Sequence, residues 1–300
     1  MDIPRTIVLF TYFVAIGRAT LVGAFGIKEP VSALLTKHVS GIARLKEETQ
    51  TVVGSIDSVP YNNDVFYLRY CVEDKGIDDL KATLAWRQGE GKSICDAAVA
   101  ALAKATENGK WNNDPVRNAA PNANKINQYI TPSTTLTTTS SQGDLVYCIR
   151  AGLIDDKALM ASLGSVEELV DFFLYCKEVN ALVANDRSLD QDRLVSVITV
   201  NDLNGLKLIG GDATFRQALS AASKKSNTLY PALAGPTLLL NLPMLLSALV
   251  KLFTPLFPPE VNARLKFERG PLKDVTELLD ISHGGKDRES FLKDLDALCY

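Results

Sequence analysis

One apolar segment constrains the fold of this chain more than any other feature. The stretch PTLLLNLPMLLSALVKLFTPLFPP, residues 236–259, contains one charged side chain, Lys251. A membrane span is one interpretation, but Pro243 and Pro255 would each interrupt a continuous helix. The segment is therefore predicted to be a buried strand followed by a helix.

The predicted helix, residues 244–253, is unusual because it is apolar nearly all round. Leu245 and Leu249 lie on one side of it, while Met244 and Leu246 cover much of the rest. Such a helix must bury two faces, one against the core and one against something else. The second contact could be a partner, a membrane surface or an enclosed apolar ligand. An ordinary central core helix is the alternative.

Strand and helix patterns alternate through the second half of the chain. Strands are predicted over 144–152, 194–200, 237–241 and 265–267, and helices over 165–185, 212–230 and 271–280. This alternation requires crossover connections and predicts an α/β domain with a mainly parallel sheet. The residues before it read as short helices. We divide the chain into an apolar leader (1–27), a helical module (28–115), the sheet domain (125–288) and a C-terminal tail (289–300).

Composition excludes several classes of protein. The chain of 300 residues is 46% hydrophobic and carries a net charge of −3, with no Lys/Arg run longer than two. A nucleic-acid binder usually shows a basic stripe, so we expect no nucleic-acid partner. Five cysteines without a C-x-x-C motif indicate free thiols in a reducing compartment. Two histidines are too few for a His-rich metal site, and we expect no metal and no cofactor.

The N-terminal leader has an apolar run at residues 7–17, which is too short to span a bilayer comfortably. It could be an apolar helix packed on the domain or a cleaved export-type leader. The stretch Gly23–Phe25 also resembles the Ala-Phe junction of plastid-targeting leaders. A plastid is therefore an alternative to a cytoplasmic location.

Motif searches do not indicate an enzyme. WRQGEGKS, residues 86–93, ends like a phosphate-binding loop, but Trp86 stands where that loop requires glycine. Gly89 and Gly91 more simply end one helix, and Ser93 is expected to cap the next. The sequence has no G-x-S-x-G motif for a hydrolase nucleophile.

The order of several motifs resembles the Sec14-like (CRAL-TRIO) lipid-binding family over about residues 60–285. The motifs, in chain order, are YLRY…WR (67–87), the tyrosine-bearing strand DLVYCIR (144–150), ITVNDLNG (198–205), LYPALAG (229–235), LLLNLP (238–243), the apolar helix and HGG (283–285). No single motif is specific, but their shared order is. The resemblance implies a CRAL-TRIO domain preceded by a small all-helical module.

The resemblance also implies a function and a set of site residues. A lipid would lie in an apolar cavity under a mobile gate helix, and the protein would bind, transfer or present it without enzymatic chemistry. The alternative is a lipid-plugged sensor that binds lipid but does not transfer it. The implied ligand-binding residues are Tyr147, Val197, Thr199, Phe215, Leu240, Leu246, Leu249, Phe253 and Arg264, and the implied membrane-contact residues are Leu256 and Phe257.

The headgroup expected from the resemblance is not inositol. Ala232 stands where inositol-binding members carry an acidic residue, and Arg264 stands where they carry lysine. We therefore expect a different phospholipid, or another hydrophobic ligand such as a sterol or isoprenoid. The expected partners are this ligand and a transient membrane surface, and the expected protein is a monomer in the cytoplasm with peripheral membrane association.

Overall fold

The computed structural model describes most of the chain outside its leader and the apolar segment. The described residues are 27–53, 63–107, 111–205, 211–242, 265–268, 278–282 and 287–300, with positions 272, 275 and 285. The predicted leader and gate helix lie outside this set.

Five strands among these residues form one sheet. They are β1 (Thr135–Thr139), β2 (Leu145–Arg150), β3 (Val197–Asp202), β4 (Ala234–Leu240) and β5 (Leu265–Glu268). The strands lie side by side in chain order, with β1 antiparallel to β2 and the other pairs parallel. The mainly parallel α/β sheet predicted from the sequence is therefore confirmed.

Helices surround the sheet and form the N-terminal region. They are α1 (Val31–Lys37), α2 (Val39–Val53), α3 (Asp64–Val72), α4 (Ile77–Gln88), α5 (Lys92–Thr106), α6 (Asp114–Asn118), α7 (Ala123–Ile126), α8 (Asp156–Ser162), α9 (Val166–Asp190), α10 (Ala213–Leu229), α11 (Leu278–Ser282) and α12 (Arg288–Cys299). A short 3-10 helix, Ala151–Leu153, follows β2.

The two faces of the sheet belong to two different cores. Side chains alternate between faces along a strand, so Leu145 and Tyr147 point one way while Val146 and Cys148 point the other. The first face packs with α9, α10 and the N-terminal helices, and the second packs with the C-terminal helices. A strand–helix–strand connection is normally right-handed. Because β2, β3 and β4 lie side by side in chain order, two right-handed connections place their helices, α9 and α10, on the same face of the sheet.

The C-terminal region differs from the sequence prediction. Leu272 lies in a turn and Val275 in no regular structure, so the closing helix expected over 271–280 begins only at Leu278. The residues assigned to a tail form α12, which buries Phe291 and Leu295 against the second face of the sheet. Apolar side chains four residues apart share one face of a helix, and this pattern explains why α12 packs.

The stretch that resembles a phosphate-binding loop is a helix–helix connection. Gly89 follows the last residue of α4 and Gly91 precedes the first residue of α5, as the two glycines suggested. Ser93 lies inside α5 and does not cap it, because the helix already begins at Lys92. Since no strand leads into this turn, it lacks the context that a phosphate-binding loop requires.

Two buried arginines join the N-terminal helices to the sheet domain. Arg69 of α3 donates to Asn185 Oδ1 of α9 at 2.7 Å and to the carbonyl of Val195 at 2.8 Å. Arg87 of α4 forms an ion pair with Glu178 of α9, and both side chains are almost inaccessible. The N-terminal helices and the sheet domain therefore share one continuous core.

Candidate functional site

A row of hydroxyl groups crosses one face of the sheet. Thr137 pairs with Tyr147, Tyr147 with Thr199 and Thr199 with Thr237. Directly paired residues project from the same face of a sheet. The four side chains therefore form a line from the edge strand β1 to the interior strand β4.

Tyr147 and Thr199 are only half-buried, although they lie on interior strands. A side chain at the centre of a sheet that is packed on both faces is normally covered completely. Ile149, which neighbours Tyr147 on the same face, is half-buried too. Of these three side chains, Tyr147 borders a hollow, whereas Thr199 and Ile149 lie beside it without lining it.

Helix α9 forms the wall opposite the hydroxyl row. Ser165 caps its start, where the serine Oγ accepts a hydrogen bond from the Glu168 backbone N–H at 3.3 Å. Residues three or four apart share a helix face, and Phe172, Cys176 and Val183 line the hollow in this way. This face of α9 is therefore mainly apolar, and the facing strands carry hydroxyl groups.

The hollow is a cavity of about 590 Å³ between α9, the edge strand and the segment around α6. Ligand-binding cavities usually have volumes of roughly 300–1,000 Å³. Trp111 borders the cavity and is 50% exposed, so the cavity reaches solvent at this side chain. The size suits one small amphipathic ligand with an apolar and a polar end.

Burial determines the ionisation of the polar groups around the cavity. It raises the pKa of the Tyr147 hydroxyl, and it raises the pKa of the Cys176 thiol to about 12. Burial also lowers the pKa of Arg117, which nevertheless stays protonated at neutral pH. At neutral pH the cavity therefore presents a neutral phenol, a neutral thiol and a charged guanidinium group.

The sequence-predicted site residues with described side chains are only partly brought together. Tyr147 borders the cavity, and Thr199 is its neighbour in the hydroxyl row. Val197 lies on the same face, but it is 2% exposed and packed in the core. Phe215 of α10 is half-buried and packs against that core without lining the cavity.

Leu240 lies on the opposite face of the sheet from Tyr147. It packs with Leu238 and Leu278 in the core beneath the C-terminal helices. The alternation of side chains along β4 explains this position, since Thr237 and Leu239 take the cavity-side face and Leu240 does not. We therefore do not include Leu240 in the candidate site.

The other site residues expected from the sequence lie outside the described part of the chain. They are Leu246, Leu249, Phe253, Leu256, Phe257 and Arg264.

The sequence analysis missed several residues that border the cavity. The edge strand β1 was not predicted because TLTTT lacks an apolar alternation, although threonine favours strands. Arg117 and Arg187 were not considered either. One signal was available for Arg187, since it continues the helical spacing of Cys176, Val179 and Val183.

Neither a metal site nor a membrane-spanning helix is found in the described ranges. The described residues contain no cluster of three or more His, Cys, Asp or Glu side chains suited to a metal ion. Within the same residues, every helix is too short or too polar to cross a bilayer.

The sheet, its two helical layers and the cavity define a class of α/β proteins that enclose a ligand against a mainly parallel sheet. The sequence model of the CRAL/TRIO domain matches residues 133–282, which are half of the 300 residues. This chain belongs to the CRAL/TRIO family, as the order of its motifs indicated. Proteins of this family in general bind or transfer lipids.

Comparisons with individual proteins are more distant. Among solved structures, "Crystal structure of Sfh5" is similar over 88% of this chain and 89% of its own, at 14% identity and a TM-score of 0.47. A search of curated proteins finds no match.

Proposed function

We propose that this protein binds one lipid in the cavity beside α9 and transfers or presents it between membranes without changing it chemically. The observation that carries this proposal is the hollow of about 590 Å³ between an apolar helix face and the outer part of the hydroxyl row, Thr137 and Tyr147. Each CH₂ group removed from water contributes about 0.8 kcal/mol. An acyl chain in such a cavity therefore provides most of the binding free energy.

The proposal assigns separate roles to the two walls. Val179 and Val183 of α9 contact the apolar part of the ligand, and Tyr147 offers its hydroxyl group to the polar part. Thr199 pairs with Tyr147 across the sheet but does not line the cavity. The hydroxyl of Tyr147 makes no hydrogen bond with any described residue, so it is available to a ligand. The thiol of Cys176 is protonated at neutral pH and does not supply a nucleophile.

The route of exchange is proposed from the sequence. Residues 244–253 would act as a gate helix, with Leu256 and Phe257 touching the membrane while the gate is open. A segment that is apolar on both sides keeps its exposed surface covered by the bilayer during exchange. Arg264 follows the gate segment in the chain and would contact the ligand from there.

Mass spectrometry of organic extracts from the gently purified full chain tests lipid binding. We expect one lipid per chain in the wild type and less bound lipid in Val183→Phe, because the larger ring occupies space along α9 that the acyl chain would otherwise take. Arg44→Gln, a change at an exposed site, should retain it. Transfer of a fluorescent phospholipid between vesicles then separates a carrier from a sensor. Bound lipid without transfer would contradict the transfer role, and a lipid-free wild type that takes up no lipid would contradict the whole proposal.

A further inference from the structure

Three arginines border the cavity and have no carboxylate partner among the described residues. They are Arg117, Arg187 and Arg288, and Asp114 is the acidic residue among the cavity-lining side chains. The ion pairs found between described residues include none of the three arginines. Three guanidinium groups against one carboxylate leave the cavity wall with an excess of positive charge.

Arg187 and Arg288 bind neighbouring residues at the same end of the edge strand. Arg187 of α9 donates from Nη1 to Thr139 Oγ1 at 2.8 Å. Arg288 of α12 donates from Nη1 to Thr138 Oγ1 at 2.7 Å and to the carbonyl of Ile281, and from Nη2 to the Thr139 carbonyl at 3.4 Å. Their partners in β1 are adjacent residues, so two cations from opposite sides of the sheet flank one end of β1.

These hydrogen bonds leave donors and charge unused. A guanidinium group has five N–H donors, and Arg187 uses one of them on a neutral hydroxyl. Burial lowers the pKa of Arg187, which reflects the cost of holding its charge away from water. An oxyanion between the two groups would compensate that cost through short, charge-assisted hydrogen bonds.

The arginine pair adjoins the apolar wall of the cavity. Val183 lies one helical turn before Arg187 on the same face of α9, and both line the cavity. Thr137, an exposed hydroxyl in β1, borders the cavity close to Thr138 and Thr139. A ligand with its anionic end at the arginine pair could therefore lay its apolar tail along α9.

We propose that Arg187 and Arg288 bind the phosphate-bearing headgroup of the lipid at the free end of β1. This inference rests on the proposed lipid binding and names the class of lipid, a phosphate-containing amphiphile. The shared chemistry is a phosphate oxyanion, which a lipid headgroup or a small phosphate ester could equally present.

Two pyrene-labelled lipids of identical tails distinguish the role of the phosphate. The full chain is mixed with phosphatidylcholine vesicles that contain either pyrene phosphatidic acid or pyrene diacylglycerol, and uptake is measured by fluorescence. We expect Arg187→Gln/Arg288→Gln to reduce phosphatidic acid uptake by about tenfold or more, since two charge-assisted contacts are lost. Diacylglycerol uptake should change less than about twofold, because the apolar wall is intact.

A matched control removes the same charge elsewhere. Lys37→Gln/Arg44→Gln neutralises two exposed cations and should leave both uptakes unchanged. Thr137→Asp, at an exposed position beside the pair, tests the site without touching either arginine. Its new negative charge should reduce phosphatidic acid uptake, whereas Thr137→Asn should not. Equal phosphatidic acid uptake in the wild type, the arginine double variant and Thr137→Asp would overturn the inference.

Titration calorimetry with sn-glycerol 3-phosphate separates failure of this inference from failure of the proposed function. Uptake of diacylglycerol but not phosphatidic acid would overturn the phosphate site and leave lipid binding standing. Binding of sn-glycerol 3-phosphate that depends on both arginines, without uptake of either lipid, would support the phosphate site and contradict lipid binding. If the wild type binds none of the three probes, the phosphate site is also wrong.

Discussion

The two sides of helix α9 use arginine in opposite ways. Toward the N-terminal helices, Arg87 meets Glu178 in an ion pair whose side chains are 2% and 0% exposed. Toward the cavity, Arg187 contacts the hydroxyl of Thr139 and forms no ion pair among the described residues. A buried cation with a fixed counter-charge stabilises an interface only while its partner is present. A half-buried cation that lacks such a partner marks a place where an anion can be added.

The two sides of α9 also differ in how tightly they are packed. The gap beside Arg69, Arg87 and Glu178 measures about 20 Å³, which is room for about one water molecule. The cavity on the other side is about 590 Å³. One face of α9 is therefore closed by side chains of the chain itself, and the other has space for a ligand.

Breaking the ion pair on the closed side should have the largest effect. Arg87→Met leaves Glu178 buried without its counter-charge, and we expect the free energy of unfolding to fall by about 3–5 kcal/mol. Chemical denaturation measures this change. Arg44→Gln, which removes an exposed arginine, should change it by less than about 0.5 kcal/mol. A loss below about 1 kcal/mol for Arg87→Met would mean that water reaches Glu178 and that the two sides of α9 are alike.

Enlarging one side chain on each side should give an intermediate effect. Val195 is fully buried in the shared core, so Val195→Phe should lower the free energy of unfolding by about 1–3 kcal/mol through overpacking. Val183→Phe extends into the cavity and should cost less than about 1 kcal/mol, because it displaces no packed atoms. Thermal and denaturant unfolding of ligand-free protein provide the comparison. Equal costs for the two variants would show that the cavity closes when it is empty.

Much of this arrangement was predictable from the sequence. The alternation of buried strands and long helices indicated the parallel sheet, and the helix predicted from residue 165 agrees with the start of α9 at Val166. Tyr147 was identified because its strand carries a family motif. The interface residues Leu68, Arg69 and Arg87 also belong to motifs that the sequence analysis recognised.

The parts that were missed depend on contacts distant in sequence. The TLTTT stretch becomes a strand because β2 pairs with it, a contact that no local pattern reveals. Leu240 was expected at the ligand site from the family resemblance, and its place in the opposite core could not be read from the sequence because a fully apolar run such as LLL shows no alternation. Arg288 reaches the cavity from α12, more than 140 residues beyond its partner Thr138, so the pair with Arg187 exists only in the folded chain.

The smallest expected effect concerns two thiols, one on each side of α9. Burial raises the pKa of Cys95, beside Arg87, and of Cys176, in the cavity wall, to about 12 each. A thiol in the unfolded chain has a pKa near 8.5. The stabilisation of the folded state by a protonated, buried thiol is therefore fully present below that pH and is lost as the pH rises toward 12. Each thiol should lower the free energy of unfolding by about 1 kcal/mol as the pH rises from 7 to 9.5.

Denaturant unfolding at both pH values measures that loss in Cys95→Ala and Cys176→Ala. Each variant should lose about 1 kcal/mol less than the wild type as the pH rises, because one ionisable thiol is absent. If Cys176→Ala has no effect while Cys95→Ala does, the thiol of Cys176 is hydrated. The ligand-free cavity would then hold bulk-like water, and the two sides of α9 would differ in polarity as well as in volume.

The line of hydroxyl groups across the sheet has a kinetic consequence. Its members run from exposed Thr137, through half-buried Tyr147 and Thr199, to Thr237, which is 7% exposed. Neighbouring strands are about 4.8 Å apart. Under the proposed function, a polar group that enters at the edge strand would therefore exchange its water for protein hydroxyl groups in two steps, first at Thr137 and then at Tyr147, instead of in one.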